Sequence, residues 1–195
     1  MRDRSTADQV LALLSKSGVE LAADPATCAQ FAAFAGRRAD CCERTCLEGH
    51  FTGSAWLVSA DGERALLLHH RKLDRWLQPG GHADGDGDLA AVALREAQEE
   101  TGLPGLRIEP EVFDLDRHRI PARGAEPEHW HYDVRFVVRA GGNEAFVVSE
   151  ESHALAWRSI AEIANDPTMD ESVRRLARKF LNGVRRDPRI HRSWC

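Results

Sequence analysis

Three glutamates with helical spacing are the residues of this 195-residue sequence best suited to chemistry. Glu96, Glu99 and Glu100 stand at i, i+3 and i+4, so in a helix all three project from one face. Leu89 and Val92 fall on that same face, which we therefore expect to turn toward the protein interior. Inward-facing carboxylates need a compensating charge, and their hard oxygens suit Mg²⁺ or Mn²⁺. The spacing predicts a divalent-metal site with Glu96, Glu99 and Glu100 as its ligands.

A glycine-rich segment just upstream predicts a place for an anionic substrate. Gly80, Gly81, Gly85 and Gly87 allow the backbone to approach a bound group closely and to expose its N–H donors. Such donors at the start of a helix favour phosphate, and we expect Gly80, Gly81 and His82 to contact it. Phosphate beside a carboxylate-held cation indicates phosphoryl chemistry, which proceeds by positioning and charge neutralisation.

The helix that must carry the glutamates is predicted over residues 89–101. Asp88 is a suitable N-cap, no Gly or Pro interrupts the segment, and Gly102 is the expected C-terminal stop. Arg95 precedes Glu99 by four residues, so we expect an ion pair that fixes one carboxylate in a useful rotamer.

The surrounding elements mix helices with strands. Helices are predicted at residues 6–17, 25–36, 40–48 and 173–184, strands at 52–59, 65–68, 106–115, 132–138, 145–148 and 154–157, and a loop at 79–88. The fold class is therefore α/β or α+β with a mixed sheet. We divide the chain into an N-terminal helical extension (1–49), a central domain (50–166), and a C-terminal amphipathic helix with a basic tail (167–195).

One predicted strand carries alternating polar residues. His129, His131, Asp133 and Arg135 share one face of it. Such a face next to a phosphate site is suited to bind substrate through His131 and Arg135, and it is equally typical of a solvated sheet surface. The sequence leaves both interpretations open.

Charge and hydropathy exclude several classes of partner. The net charge is −5, although residues 170–195 carry eight Lys/Arg against three Asp/Glu. An acidic body argues against a nucleic-acid surface, and we interpret the basic tail as a solvated helix face. No apolar run reaches the roughly 18 residues of a membrane span, and the start lacks the pattern of a secretory signal. We expect a cytoplasmic protein with no membrane partner.

The five cysteines fit a reduced protein better than a disulfide framework. Cys42, Cys46 and His50 recur every four residues, which on a helix would align three zinc ligands. Gly49 would end such a helix before His50, and no fourth ligand is evident. We favour buried, inert thiols over a zinc site.

The segment from Gly81 to Leu103 resembles the Nudix box of the Nudix hydrolases. The positions that match are Gly81, Arg95, Glu96, Glu99, Glu100, Gly102 and Leu103. Two positions depart: Gly87 stands where the box has its first Glu, and Ala97 where it has a bulky aliphatic residue. The resemblance to a Nudix domain extends over residues 50–164.

That resemblance implies a sandwich of helices around a mixed sheet and a Mg²⁺- or Mn²⁺-dependent enzyme. Its substrate would be a nucleoside diphosphate linked to another moiety, hydrolysed by water attack on a diphosphate phosphorus. The catalytic residues would be Arg95, Glu99, Glu100 and Glu151; the identity of the general base stays open among the box glutamates, Glu150 and Glu151. The family also includes dimers, so a homodimer is compatible with the sequence.

Two alternatives accompany the hydrolase interpretation. The first is a Nudix-like sensor that binds a nucleotide without catalysis, with Gly87 as the sign of decay. The second is the isomerase branch of the fold, which needs a catalytic cysteine; the cysteines here lie near no matching motif. If the loop resembles the family's, Gly87→Glu should keep or raise activity.

Overall fold

The computed structural model describes residues 5–124, 126–148 and 152–186. The helices are α1 (Thr6–Leu14), α2 (Pro25–Arg37), α3 (Leu89–Thr101), α4 (Ile160–Asn165) and α5 (Glu171–Arg186), with a 3-10 turn at Val19–Leu21. The strands are β1 (Gly49–Val58), β2 (Arg64–His70), β3 (Arg75–Leu77), β4 (Gly80–His82), β5 (Arg107–Ile120), β6 (His129–Arg139) and β7 (Ser152–Ser159). The described strands form a seven-stranded sheet of order β3-β2-β1-β6-β5, with β4 paired to β1 and β7 to β2. The predicted α/β class is confirmed.

Two compact units make up the chain, and the first comprises Met1–Ala55, Gly80–Glu96 and Ile108–Val137. Its apolar core is built on aromatic rings from α2, β1 and β6. Phe34 stacks on Tyr132 with ring centroids 4.0 Å apart, and Phe31 meets the same ring edge-on at 5.3 Å. Phe51 completes the group and is fully buried. The N-terminal helices therefore contribute to the core of this unit.

The second unit comprises Trp56–Pro79, Ala97–Arg107 and Val138–Cys195. In it, β2 pairs antiparallel with β7 from Arg64↔Ser159 to His70↔Ser152, and with β3 along its other edge. Helix α5 turns an apolar face inward, where Val173, Leu176 and Ala177 are fully inaccessible. It packs against α4, a short helix that the sequence did not predict.

Local sequence signals explain where the long helices begin and end. Asp24 caps α2, since its Oδ1 accepts from the N–H groups of Ala26 and Thr27. Asp88 caps α3 by accepting from Ala91 N at 3.0 Å, and Gly102 follows the helix with φ +65°. Helix α3 thus covers the predicted residues 89–101.

The predicted helix over residues 40–48 is wrong, because this segment is a series of turns. Its carbonyl groups bond elsewhere: Cys41 O accepts from Phe51 N at 2.8 Å, and Cys42 O accepts from Gly85 N at 3.0 Å. Those carbonyls are therefore not used in helical i to i+4 bonds. Long-range pairing has overridden a helix-like composition.

Two further expectations fail for similar reasons. Residues 145–148 form no strand; Val147 N instead donates at 2.8 Å to the carbonyl of Thr101, the last residue of α3. The predicted loop at 79–88 contains β4, whose register with β1 runs from Ser54↔Gly80 to Thr52↔His82. Among the described helices, none combines the length and apolar character needed to traverse a lipid bilayer.

Candidate active site

Helix α3 places the three glutamates on one face, as their spacing predicts. Glu96 is the least accessible, with 18% of its side chain exposed. Glu99 is exposed and Glu100 is half-buried. Three carboxylates on adjacent turns form an acidic surface at the C-terminal end of α3, the donor type that Mg²⁺ and Mn²⁺ prefer.

Glycines bring this helix directly against the sheet. A Cβ atom on Gly81 of β4 would lie 2.9 Å from Oε1 of Glu96 and closer still to its Oε2. A Cβ atom on Gly53 of β1, the register partner of Gly81, would lie 2.7 Å from Leu89 O. Both strands therefore need glycine where α3 crosses them, and the Glu96 carboxylate occupies the space that a side chain at Gly81 would take.

Arg95 connects the helix to β4. Its Nη2 donates to His82 O at 3.2 Å and to Glu96 Oε1 at 3.3 Å, and its Nη1 lies 3.9 Å from Asp86 Oδ2. The predicted partner was Glu99; the structure pairs Arg95 with Glu96 instead. Arg95 thereby fixes the most enclosed of the three glutamates against the strand.

The loop after β4 does not present its N–H groups as predicted. Ala83 N donates to Phe51 O, Gly85 N to Cys42 O, and Asp86 N to Ala83 O. These three donors are satisfied within the protein and are not available to a phosphate. Of the glycines predicted to cradle a phosphate, Gly85 therefore has its N–H bonded to the turn segment after α2.

Gly87 is explained by packing with the N-terminal helix. A Cβ atom there would lie 2.8 Å from Thr6 O and would overlap the amide oxygen of Gln9. Thr6 also donates from Oγ1 to Gly85 O at 3.3 Å. Helix α1 occupies the space into which a glutamate at position 87 would project. This packing argues against the expectation that Gly87→Glu keeps or raises activity, which stays a prediction.

The polar stripe on β6 divides into two parts, and the first is a buried ion network. Arg135 is 2% exposed; its Nε donates to Asp133 Oδ2 at 2.7 Å, and its Nη2 lies 3.1 Å from Asp116 Oδ2. Burial acts to lower the pKa of Arg135, but the surrounding carboxylates raise it above its ordinary value. Thr52 and Ser54 of β1 donate to the same Asp133 carboxylate. This enclosure favours a structural role for Arg135 over the predicted contact with substrate.

The second part is a histidine cluster on the same face of the sheet. We define the histidine cluster as His50 of β1, His82 of β4, His118 of β5, and His129 and His131 of β6. Its ring centroids approach to between 4.8 and 5.4 Å. Three of its members, His50, His82 and His131, each offer a ring nitrogen within 4.8 Å of the others.

The pKa values of His50, His82 and His131 lie below neutral pH, so these three rings are uncharged there. Burial lowers the pKa of His50 and of His82 to about 4, with smaller contributions from nearby cationic groups. Burial and the neighbouring imidazoles lower the pKa of His131 to about 2. Neutral imidazole is the form that ligates metals.

Sequence reasoning identified the β6 members of the cluster but not the cluster itself. The missed signal is the alternation His50-x-Thr52-x-Ser54 on β1, which parallels the stripe on β6. His50 was instead grouped with Cys42 and Cys46. Those thiols are buried and free, and among the described residues the group with metal-site geometry contains histidines only. Glu150 and Glu151, the predicted late acids, lie outside the described residues.

Comparisons with known proteins agree with this architecture. The NUDIX domain family model matches residues 50–180. A Mycobacterium tuberculosis protein named "Putative 8-oxo-dGTP diphosphatase 3" is 33% identical over 127 residues, which cover 61% of this chain and 57% of that relative. The match thus spans little more than half of the relative's length.

Solved structures show the fold. The binary complex of Caenorhabditis elegans Ap4A hydrolase has a TM-score of 0.56 at 18% identity, covering 69% of this chain and 97% of that one. A NUDIX family hydrolase from Clostridium perfringens has a TM-score of 0.51 at 24% identity, with the same coverage.

Proposed function

This chain belongs to the NUDIX domain family, and we propose that it hydrolyses a nucleoside diphosphate linked to another moiety. The observation that carries the proposal is the contact of Gly81 with Glu96, because it couples the acidic face of α3 to the glycine strand. An arginine, three glutamates and two flanking glycines of the box are retained around it. A helix whose acids served only solubility would not need a glycine opposite Glu96.

We assign the cation to Glu96, Glu99 and Glu100. Their oxygens suit Mg²⁺, with Mn²⁺ as the alternative, and the enclosed position of Glu96 supplies a fixed anchor. Bound there, the cation would neutralise phosphate oxygens and acidify the attacking water.

The side chains contribute positioning and proton transfer. Arg95 holds Glu96 in place through its bonds to the carboxylate and to His82 O. A carboxylate from one of the box glutamates, Glu150 or Glu151 takes the proton of the attacking water as the new P–O bond forms and the bridging P–O bond breaks. The departing phosphate carries the electrons of the broken bond.

Gly80, Gly81 and His82 of β4 remain the proposed substrate contacts, through the backbone of the strand that passes directly beside Glu96. Of the β6 residues proposed with them, His131 is half-buried within the histidine cluster, whereas Arg135 is enclosed by carboxylates. Of these two, His131 alone stays a proposed substrate contact, and metal binding by its ring would replace that role.

For the substrate, the curated relative suggests an oxidised nucleotide such as 8-oxo-dGTP, although only 57% of its length is matched. A cytoplasmic location, a homodimer and the division at residues 49 and 166 stay predictions.

A panel of diphosphates tests the proposal. We expect Mg²⁺- or Mn²⁺-dependent release of a mononucleotide from at least one of ADP-ribose, a dinucleoside polyphosphate or 8-oxo-dGTP. If no compound turns over while calorimetry detects tight nucleotide binding, the sensor alternative replaces the enzyme. Gly87 no longer supports that alternative, because its packing against α1 gives a structural reason for a glycine at this position.

A further inference from the structure

The histidine cluster lies on the opposite side of β4 from Glu96. Successive side chains of a strand point to opposite faces. Gly81 faces Glu96 of α3, so the next residue, His82, points away from that helix. His50 and Thr52 share one face of β1, and Thr52 is the register partner of His82. The cluster therefore forms a separate site, distinct from the carboxylates of α3.

His50 makes no hydrogen bond through its ring. Its residue is 1% exposed, and both ring nitrogens are buried without such a bond, although the backbone of Cys46 lies near enough to raise the pKa of the ring. Leaving a buried polar group unsatisfied is costly. The rings of His82, His129 and His131 all approach it within 5.0 Å, centroid to centroid. An imidazole enclosed by other imidazoles with nothing to bond is the expected arrangement of a metal ligand without its ion.

The tautomer of His129 gives a second, independent indication. Its Nδ1 lies 2.9 Å from Pro127 O, and a carbonyl only accepts, so Nδ1 carries the proton. Its other ring nitrogen, Nε2, faces the cluster, 3.4 Å from His131 Nε2 and 3.8 Å from Glu126 Oε1. A backbone carbonyl that fixes the tautomer of a ligating histidine is a recurrent feature of metal sites.

The distances are compatible with tetrahedral coordination. Zinc–nitrogen bonds of about 2.0–2.1 Å place two ligand nitrogens of a tetrahedron roughly 3.3 Å apart. The separation of the His129 and His131 Nε2 atoms, 3.4 Å, is close to that value. The ring nitrogens of His50, His82 and His131 lie within 4.8 Å of one another, and His129 lies outside that group. Ion uptake would therefore draw the rings inward and bring His129 in as the fourth.

We propose that His50, His82 and His131, with His129 as fourth ligand, bind one divalent first-row transition-metal ion, with Zn²⁺ the best match. Imidazole nitrogens suit zinc, whereas Mg²⁺ requires oxygen ligands and selects the glutamates of α3. The chain then holds two metal sites of different chemistry on opposite sides of β4.

The test is metal uptake by the full chain after removal of metals with a chelator. Cobalt serves as the spectroscopic probe and zinc as the stoichiometric one. We expect one equivalent of Zn²⁺ by elemental analysis and, with Co²⁺, the intense visible absorption of a tetrahedral nitrogen site. Uptake should persist in the double variant Glu99→Gln/Glu100→Gln. Uptake that disappears with those glutamates, or no uptake at all, would overturn the proposal.

Single substitutions in the cluster localise the ion. His82→Asn and His131→Asn should each lower the zinc affinity more than about tenfold. Losing a residue that only supports a metal ligand already costs about tenfold, and these two residues are proposed as ligands themselves. His153→Asn is the matched control, because His153 is exposed on β7 in the other unit. Equal affinities in all three variants would contradict the assignment.

A measurement on unaltered protein covers the case in which a cluster variant fails to fold. X-ray absorption of the zinc-loaded wild-type chain should show nitrogen neighbours at about 2.0 Å with the outer-shell scattering of imidazole. A shell of oxygen neighbours alone would refute the histidine site.

Discussion

Gly81 of β4 lies against the carboxylate of Glu96 on α3 so closely that no Cβ atom fits between them. Arg95 reinforces this contact by bonding both Glu96 and the carbonyl of the next strand residue, His82. The position of the most enclosed glutamate of the acidic face therefore depends on a residue without a side chain. The first of the predictions that follow tests this contact directly.

Gly81→Ala should lower activity with a small effect on stability. The new methyl group would displace the flexible end of Glu96, so the fold survives while the carboxylate leaves its place. We expect a lower kcat and weaker Mg²⁺ activation, measured by steady-state kinetics across Mg²⁺ concentrations. Gly36→Ala is the control, since nothing lies within 4 Å of a Cβ there. Wild-type activity in Gly81→Ala would show that the contact is not needed.

Glu100→Gln should reduce the rate by orders of magnitude and leave the fold intact, because it removes a proposed metal ligand on the surface of α3. The comparison is Gln98→Ala, an exposed position on the same helix. Kinetics and circular dichroism of both variants check the prediction. Similar losses in the two variants would point to a disturbance of the helix and not to ligand loss.

Gly87→Glu should destabilise the protein by about 1–3 kcal/mol, the usual cost of forcing extra atoms into a packed site. The glutamate would collide with the backbone carbonyl of Thr6 in α1. Urea unfolding measures the change, and Gly142→Glu, which meets open space, should be nearly neutral. If Gly87→Glu were as stable as wild type, α1 would have to lie elsewhere.

Part of this structure was readable in the sequence and part was not. The cap at Asp88, the uninterrupted segment and the stop at Gly102 encode α3 locally, and the prediction of its bounds was confirmed. Residues 40–48 have helix-like spacing, but their carbonyls pair with Phe51 and Gly85, contacts that only the folded chain brings together.

The histidine cluster illustrates the same limit. Its members come from four strands, and only the alternation on β6 is visible locally. The burial of Arg135 likewise depends on carboxylates of β5. It is this burial that distinguishes an ion network in the interior from a solvated sheet face. Strand pairing decides both features, and no local pattern encodes it.

Arg135→Leu should cost about 3–5 kcal/mol of stability, because it leaves buried carboxylates without their cation. Arg119→Leu provides the contrast. Arg119 pairs with Glu128 at an exposed position, where an ion pair contributes about 0–1 kcal/mol. Denaturant unfolding of both variants makes the comparison, and equal losses would contradict the buried network.

The metal-free protein should lose stability as the pH falls from 6.5 toward 4. The pKa values of His50 and His82 in the folded state, about 4, lie below the ordinary 6.5. The unfolded chain therefore binds protons in this window that the native cluster does not, and the free energy of unfolding decreases. The other charged or titratable groups acting on these rings are Arg44, Asp84, Glu126, His118, His129 and His131.

Unfolding in chelator at several pH values measures this slope. His131→Asn, which removes one of the titrating rings, should flatten it. An identical slope in wild type and variant would show that other groups govern the acid sensitivity.

Hydrolysis in ¹⁸O-labelled water tests the central claim most directly. With Mg²⁺ or Mn²⁺ and a diphosphate from the panel, the wild-type chain should release two phosphate-containing products, one of which carries a single ¹⁸O. The double variant Glu99→Gln/Glu100→Gln, folded and still able to bind zinc, should release neither. The account is contradicted if the folded wild-type protein cleaves no diphosphate, or if the double variant incorporates the label as fast as wild type.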